Sequence, residues 1–404
     1  MSVSFGPHGV RATADQKRGS KSRGDVPAQP GRLRVAIAHD YLTQRGGAEK
    51  VVLSMAKAFP EAVIHTTLYD PQNTYPQFED MDVRVSAMNR IGFLRRNHRA
   101  ALPLLPFASS SMSIDADVVL VSSSGWAHAF RTTGRKAVYC HSPARWLYQE
   151  QDYLGESAGW KKRAALAFLA PLLKIWDRRA ARSCDIYFAN SRVVRDRIKT
   201  AYGRPARVLP APATIEIDSD PEVVPEVAHW AEQGFYLCIS RLLAYKNVDA
   251  VIDSFRGTGR RLVVCGRGPE AERLRATKPD NVIMVSDLTD SQIAWLYAHS
   301  SAVVAASHED YGLTPIEGAA HGKPSVLLRW GGFLDTAVEG LTAVYFDEPE
   351  PSLIRAAIDR FEQSAWDTEK IVEHATRFSD EQFAAQLYDI VDSLASTDTE
   401  EGAA

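Results

Sequence analysis

The sequence predicts an α/β protein with two Rossmann-like, doubly wound domains that face each other across a cleft. Three observations predict it: the length of 404 residues, two series of short apolar runs alternating with helical segments, and a break between the series. Domains of about 150 residues are common, so a chain of this length is expected to form two. Short buried strands that alternate with helices indicate parallel sheets covered on both faces.

The first series forms the predicted N-terminal domain, residues 31–212. The loop 43–47, which contains two glycines, and a helix over 48–59 connect its first two strands into a βαβ unit. Its strands are predicted at 34–41, 62–69, 117–124, 136–142, 185–191 and 206–213.

The second series forms the predicted C-terminal domain, residues 213–378, and starts after an acidic, proline-containing break at 214–233. A helical pattern over 379–396 lies beyond it. In such folds ligands bind outside the carboxyl ends of the strands, so the cleft between the domains is the expected active site. The strands are predicted at 235–240, 261–266, 281–286, 301–307 and 325–328.

Composition is typical of a globular enzyme and gives no sign of bulk nucleic-acid binding, since the net charge is −3. No run approaches the ~20 apolar residues that cross a bilayer. Residues 1–30 are polar and rich in Gly, Ser and Pro, which is typical of a disordered tail and unlike a secretory signal. We therefore expect a cytoplasmic protein. The cysteines lack the spacing of a metal site and are expected to be small core residues: Cys140, Cys184, Cys238 and Cys265.

The segment 307–324 carries two glutamates around a predicted tight turn and helix start. Glu309 precedes the helix and Glu317 lies in its first turn, with Gly312 between them. A carboxylate accepts hydrogen bonds from two neighbouring hydroxyls, as on a ribose or hexose, and a helix start offers N–H groups to phosphate. The pair therefore fits a nucleotide-sugar, but spacing alone fits equally well an acidic first turn that complements the helix dipole.

Two cations follow the first strand of the second domain. Arg241 and Lys246 would neutralise a diphosphate at that strand end, or they are solvated surface charges, and Asn247 is placed to cap the next helix. Gly46 and Gly47 follow the first strand of the first domain, where they form either a tight turn or a close approach to a ligand.

Two further positions end predicted strands of the first domain. His141 ends one of them, although a lone histidine is more often structural than catalytic. Ser191 is predicted to cap the next helix, and Asn190 beside it either faces the cleft or is structural.

Together these segments resemble the retaining glycosyltransferases of family four, which have the GT-B fold. Residues 309–317, with glutamates eight positions apart, resemble the family signature. Residues 46–49 resemble the N-terminal glycine loop of the family, and residues 240–249 resemble its basic phosphate-binding segment. Residues 266–270 resemble its nucleobase-side loop, and residues 331–346 resemble the segment before its last strand. The match covers most of residues 34–392. Asp335 and Ala343 depart from the residues that the family often has there, Glu and Gly.

The resemblance implies a role for each candidate. Glu317 would bind the ribose of the donor, and Glu309 would contact hydroxyls of the transferred hexose. Backbone amides near Gly312 and Leu313 would help to hold that sugar and the phosphate. Arg241 and Lys246 would neutralise the diphosphate, and His141 would contact the reacting sugar. Gly46 and Gly47 would approach the diphosphate and the acceptor. Gly268 and Glu270 would lie near the base or the ribose. The role of Glu49, in the same motif as Gly46, is open.

The resemblance also implies retention of the anomeric configuration. No carboxylate stands out as a covalent nucleophile, so we expect a front-face displacement in which the departing phosphate accepts the acceptor's proton. No metal or other cofactor is expected, because the cations and the helix start supply the charge. Segments 39–42 and 140–148 look most like mannosyltransferases of polysaccharide and lipopolysaccharide assembly, which favours GDP-mannose as donor; a UDP-sugar stays open. The alternatives are a nucleotide-sugar epimerase and a non-catalytic binding subunit.

The acceptor is expected to be a glycan or a lipid-linked molecule on the first domain. Arg145 and Trp146 would help to shape that side, and by family analogy the C-terminal helix returns to the first domain. Residues 90–107 mix Arg90, Arg95, Arg96 and Arg99 with apolar side chains, and residues 160–182 have similar character. These segments either lie on an anionic membrane, at the inner face of the plasma membrane, or pack as ordinary amphipathic helices.

Overall fold

The computed structural model describes residues 33–102, 104–149, 160–213 and 220–401. The predicted tail, residues 1–30, lies outside the described residues. No helix in the described part of the chain is both long and apolar enough to cross a membrane.

A parallel sheet of seven strands organises the first half, in the order β3-β2-β1-β5-β7-β8-β9, and β4 pairs separately with β6. These strands are β1 (Val35–His39), β2 (Val63–Thr66), β3 (Val83–Val85), β4 (Ser113–Ile114), β5 (Val118–Ser123), β6 (Arg131–Thr132), β7 (Arg135–Cys140), β8 (Ile186–Ala189) and β9 (Arg207–Val208). The helices are α1 (Gly47–Ala58), α2 (Gly92–Arg96), α3 (His98–Ala101), α4 (Leu105–Ser111), α5 (Arg145–Tyr148), α6 (Trp160–Arg182) and α7 (Arg192–Tyr202).

A second parallel sheet, of six strands, organises the second half in the order β12-β11-β10-β13-β14-β15. Its strands are β10 (Phe235–Ile239), β11 (Leu262–Cys265), β12 (Val282–Val285), β13 (Ser300–Ala305), β14 (Ser325–Leu328) and β15 (Ala343–Phe346). The helices are α8 (Val248–Phe255), α9 (Ala271–Thr277), α10 (Asp290–His299), α11 (Thr314–Ala320), α12 (Phe333–Thr336), α13 (Pro351–Gln363), α14 (Thr368–Thr376) and α15 (Asp380–Glu401).

Every predicted strand is present, although one is shorter than predicted and four further strands were not predicted. Only Arg207–Val208 of the predicted strand 206–213 joins the sheet, because Pro210 and Pro212 lack the N–H groups that a sheet ladder needs. The short strands β3, β4 and β6 were not predicted, since two or three residues give no readable alternation. The last strand of the second sheet, β15, was not predicted either. All four cysteines are free and buried, as expected of core residues.

The last helix packs on the first half of the molecule. In α15, Asp380 accepts a hydrogen bond of 2.7 Å from Ser54 of α1, and the Tyr388 hydroxyl donates to the Ala58 carbonyl at 2.8 Å. Phe383, fully buried, meets the ring of Tyr139 on β7 edge-on. The chain therefore returns to the first sheet after completing the second.

Candidate functional site

The turn between β13 and α11 carries both predicted glutamates. Gly312 has a φ of +84°, and a Cβ placed on it would lie 2.6 Å from the Phe333 ring, so this position requires glycine. The Gly332 N–H donates to the Glu309 carbonyl at 2.9 Å. The 331–346 segment is thus packed directly on the glutamate turn.

Glu309 and Lys246 contact each other at the carboxyl ends of β13 and β10. The Lys246 ammonium, on a side chain that is only 7% exposed, donates to Glu309 Oε1, which also accepts from the Ser307 hydroxyl at 3.1 Å. Both side chains line one small cavity together with Thr314. A cation and a carboxylate predicted to serve different parts of a donor are therefore brought together as an ion pair between a buried lysine and a half-buried glutamate.

Neighbouring residues of the β10 loop depart from expectation. The prediction that Asn247 caps α8 with its side chain is wrong: its φ is +52°, and its amide donates instead to the Ala306 carbonyl at 2.9 Å, which ties the loop to β13. Arg241 is exposed and contacts the Tyr245 hydroxyl at 3.4 Å. Arg241 forms no ion pair with Glu309 among the described residues, although the Tyr245 ring that it contacts lies 5.1 Å from the Lys246 ammonium.

Glu317 is oriented by a residue that the sequence did not single out. The Tyr297 hydroxyl donates to Glu317 Oε2 at 2.7 Å, and the Tyr297 ring, 2% exposed, stacks on His321 with centroids 5.2 Å apart. Burial, together with the Glu317 carboxylate, raises the pKa of Tyr297 well above its ordinary value. The hydroxyl therefore stays protonated and acts as a fixed donor to Glu317.

Two glycine loops approach the same region. A Cβ placed on Gly47, at the start of α1, would lie 3.7 Å from Leu313 Cδ1, so the loop of the first half contacts the glutamate turn of the second. A Cβ on Gly46 would lie 2.6 Å from Glu49 Oε2. Gly46 therefore lets the backbone pass over the buried Glu49 carboxylate.

The loop after β11 packs against the loop after β10. A Cβ on Gly268 would lie 2.2 Å from the Leu242 carbonyl oxygen, which leaves no room for a side chain. The Glu270 carboxylate binds the Arg273 guanidinium at 2.7 Å in an exposed pair. Gly268 is thus a contact between two loops, and Glu270 is engaged within its own segment.

His141 lies just beyond β7 and is half-buried. Its Nε2 is 2.9 Å from the Ser122 hydroxyl oxygen. Burial, followed by the charges of His39 and Arg145, lowers the pKa of His141 to about 3, so its ring is neutral at physiological pH. A neutral imidazole here is a hydrogen-bond donor or acceptor and not a counter-ion.

Residues near His141 serve other contacts. Trp146 packs edge-on against Trp126 with centroids 5.3 Å apart, within an apolar cluster of the first half. Ser191 caps α7 as predicted, accepting from the Val194 N–H at 3.3 Å, and donates to Asn190, which is buried.

Ion pairs connect the two halves beside the glutamate turn. Arg145 and Arg197 of the first half both bind the Asp310 carboxylate, Arg197 at 2.5 Å. Asp335 accepts from the Arg192 main-chain N–H at 2.9 Å and from its guanidinium at 2.5 Å. The aspartate that departs from the family pattern therefore holds the start of α7, and Asp310, next to Glu309, joins the halves.

The described residues contain no group of three or more His, Cys, Asp or Glu side chains placed to hold a metal ion. Asp115 and Asp117, which are two positions apart, both bind Arg34.

The two halves match two glycosyltransferase families. Residues 45–216 match Glycosyltransferase Family 4, and residues 221–378 match Glycosyl transferases group 1. The chain is 23% identical over 372 residues to the alpha-1,3/1,6-mannosyltransferase ALG2 of Dictyostelium discoideum, covering 77% of this chain and 85% of that protein. It is 23% identical over 228 residues to the GDP-mannose-dependent alpha-(1-6)-phosphatidylinositol monomannoside mannosyltransferase of Mycolicibacterium smegmatis, covering 50% of this chain and 58% of that protein.

The fold is shared with solved structures, among them a glycosyltransferase from Rickettsia africae, which matches with a TM-score of 0.58 at 14% identity, covering 90% of this chain and 98% of that one. The crystal structure of Anabaena HepE in complex with UDP-glucose matches with a TM-score of 0.63 at 17% identity, covering 89% of this chain and 100% of that one. The two parallel sheets agree with this likeness. The two family matches, which follow one another along the chain, agree with it as well. The chain is therefore a glycosyltransferase with the GT-B fold.

Proposed function

We propose that this glycosyltransferase moves mannose from GDP-mannose to a glycan or lipid-linked acceptor, with retention of the anomeric configuration. The observation that carries the proposal is the pair of the buried Lys246 with Glu309 at the turn before α11, where Gly47 of the other half approaches Leu313. Mannose is favoured by the segments 39–42 and 140–148, and by two relatives that are named mannosyltransferases.

Donor binding would use the residues around this pair. Lys246 would exchange its contact with Glu309 for a phosphate oxygen, and Glu309 would then accept from hexose hydroxyls. The exposed Arg241 guanidinium is free of acidic partners among the described residues and would turn toward the diphosphate. Glu317, held by Tyr297, would bind the ribose hydroxyls.

The remaining candidates complete the donor site. Backbone amides at Gly312 and Leu313 would hold the sugar and the phosphate, with Gly46 and Gly47 closing over them. Gly268 and Glu270 would lie near the base. These assignments follow the family resemblance and the placement of each loop at the carboxyl ends of the strands.

The chemistry would belong mainly to the phosphate and to the cations facing it. As the bond between the sugar and the diphosphate breaks, negative charge builds on the leaving oxygen, and Lys246 and Arg241 would stabilise it. The acceptor hydroxyl would attack the same face, and its proton would pass to the departing phosphate. Because Lys246 is buried, its charge acts in a site with little water, where its effect is larger.

A panel of nucleotide-sugars tests this function. Wild-type protein should bind GDP-mannose and hydrolyse it slowly without acceptor, while Glu309→Ala and Lys246→Ala lose at least about tenfold in kcat/KM. Glu339→Ala and Lys370→Ala are matched controls, because both side chains form exposed ion pairs elsewhere in the second half. If the protein prefers a UDP-sugar, GDP-mannose is not the donor and the UDP-sugar takes its place. No binding of any nucleotide-sugar, or wild-type behaviour of both site variants, would overturn the site itself.

We also propose that the first half contacts an anionic membrane surface. Phe93 of α2 and Phe107 of α4 are 63% and 73% exposed, and Leu172 of α6 is 63% exposed. The inner sides of these helices pack in one apolar cluster. Exposed arginines lie on the same segments: Arg90, Arg96, Arg179 and Arg182. The side chains of Arg99 and of residues 160–168 lie outside the described ones.

Apolar side chains beside arginines fit the interface of an anionic bilayer. The protein should sediment with phosphatidylglycerol-containing vesicles, and the pair Phe93→Ser and Phe107→Ser should release it. The pair Val338→Ser and Leu353→Ser, exposed apolar residues of the second half, is the control. Equal vesicle binding by both double variants would contradict the assigned surface.

A further inference from the structure

A chain of polar contacts runs from His141 into the first sheet. His39 on β1 pairs in register with Ser122 on β5, and His141 lies just beyond the neighbouring strand β7. His141 Nε2 is 2.9 Å from Ser122 Oγ, which is 3.1 Å from His39 Nδ1. On the far side, His39 Nε2 lies 3.8 Å from Glu49 Oε1. The three inner residues are at most 1% exposed.

The contacts determine where the hydrogens lie. His39 Nδ1 is 3.0 Å from the Ser122 carbonyl oxygen, and a carbonyl oxygen can only accept, so His39 Nδ1 must carry a hydrogen. The Ser122 hydroxyl therefore cannot donate to His39. Its hydrogen then has His141 Nε2 as its acceptor, whereas an N–H on that nitrogen would leave the hydroxyl hydrogen without an acceptor among the described contacts. A neutral imidazole carries one N–H, so that of His141 lies on Nδ1.

Neighbouring charges shift the pKa values of the His39 and His141 rings in opposite directions. Burial lowers the pKa of His39, but the contact with Glu49 and the charges of Glu49 and Asp40 outweigh it, so its pKa is raised. The resulting positive character of His39 acts, with burial, to lower the pKa of His141. Glu49 holds the far ring nitrogen, Nε2, of His39, and its Oε1 also accepts from Gln44 at 3.0 Å.

We propose that Ser122 and His39 are positioning residues that fix His141 as a neutral donor with its N–H on Nδ1. Within the described part of the chain, Nδ1 has no hydrogen-bond partner. An N–H there donates to an oxygen of the transferred sugar or of its phosphate, whereas the other tautomer would present a lone pair to it. The inference rests on the proposed function only for the identity of that ligand.

The tautomer is measured directly by NMR on protein labelled with ¹⁵N in the histidine rings, with His141→Gln used to assign the signals. Wild-type protein should show His141 with a protonated Nδ1 and a bare Nε2. Ser122→Ala should shift the population toward the Nε2–H form. Ser123→Ala is the matched control, because Ser123 is the next residue on β5, is 1% exposed, and accepts from the Gly125 N–H instead.

Kinetics separate this inference from the proposed function. Ser122→Ala should lower kcat about tenfold with an unchanged donor KM, the effect of losing one oriented hydrogen bond, while Ser123→Ala stays at the wild-type value. Wild-type His141 protonated on Nε2, or an unchanged tautomer in Ser122→Ala, would overturn the positioning role. The wild-type spectrum decides this even if the variant does not fold. A changed tautomer with wild-type kcat would instead remove His141 from the reacting sugar.

Discussion

The contact between Tyr297 and Glu317 allows the proposed role of Glu317 in donor binding to be tested by a single substitution. Tyr297→Phe removes the hydroxyl that donates to Glu317 at 2.7 Å and leaves the ring that stacks on His321. Because the ring stays in place, the core keeps its volume. The variant therefore tests how far the orientation of Glu317 matters.

The size of the effect follows from the surroundings of the bond. A hydrogen bond to a charged group contributes about 1.5–3 kcal/mol. Glu317 is half-buried, so water can replace part of the lost bond and the lower end applies. Since 1.4 kcal/mol corresponds to a factor of ten, donor affinity should fall roughly tenfold. A ribose contact acts equally in the ground and transition states, so KM should rise while kcat stays close to wild type.

Titration calorimetry with GDP and with UDP, followed by steady-state kinetics, measures this change. Tyr236→Phe is the matched control: its hydroxyl donates to Glu362 at 2.8 Å, on the same half of the molecule but in an ion-pair group with Arg260. Wild-type nucleotide affinity in Tyr297→Phe, or an equal loss in Tyr236→Phe, would refute the assignment of Glu317 to the ribose.

Two stability predictions concern buried groups of the first half. Asp177→Ala should destabilise the fold by about 1–3 kcal/mol, because it removes the acceptor of the Tyr148 hydroxyl at 2.9 Å and the carboxylate 2.8 Å from the buried His128 Nε2. Urea denaturation measures this, with the exposed Asp196→Ala as a control near zero. Burial, and then the Arg84 charge, lower the pKa of His65 from 6.5 to about 4, so its contribution to stability is present above pH 6.5 and is lost as the pH falls toward 4. The thermal midpoint of His65→Gln should therefore vary less between these pH values than that of wild type, and equal slopes would contradict the assignment.

The sequence predicts the fold because its signals are local. Buried parallel strands give continuous apolar runs, as over Val118–Ser123, where all residues are buried. The glutamate turn was also readable, since Gly312 and the helix start at Thr314 lie in one short segment. The prediction failed at Asn247, where the side chain bonds to Ala306, just beyond β13, instead of to its own helix.

The contacts that orient the site were not predictable, because their partners are far apart in the chain. His39 and Ser122 are separated by 83 positions and meet only through sheet register. Arg145 and Asp310 are separated by 165 positions and lie on different halves. The motifs therefore predicted which side chains belong to the site. Which of these side chains contact each other was determined by the fold.

The pairing of Lys246 with Glu309 is the centre of this account, and a crystal structure with a hydrolysis-resistant GDP-mannose analogue in the cleft tests it most directly. We predict that Lys246 Nζ leaves the Glu309 carboxylate for a phosphate oxygen, and that Glu309 accepts a hydrogen bond from a hexose hydroxyl. A bound donor whose diphosphate lies away from Lys246, with the Lys246–Glu309 contact intact, would contradict it.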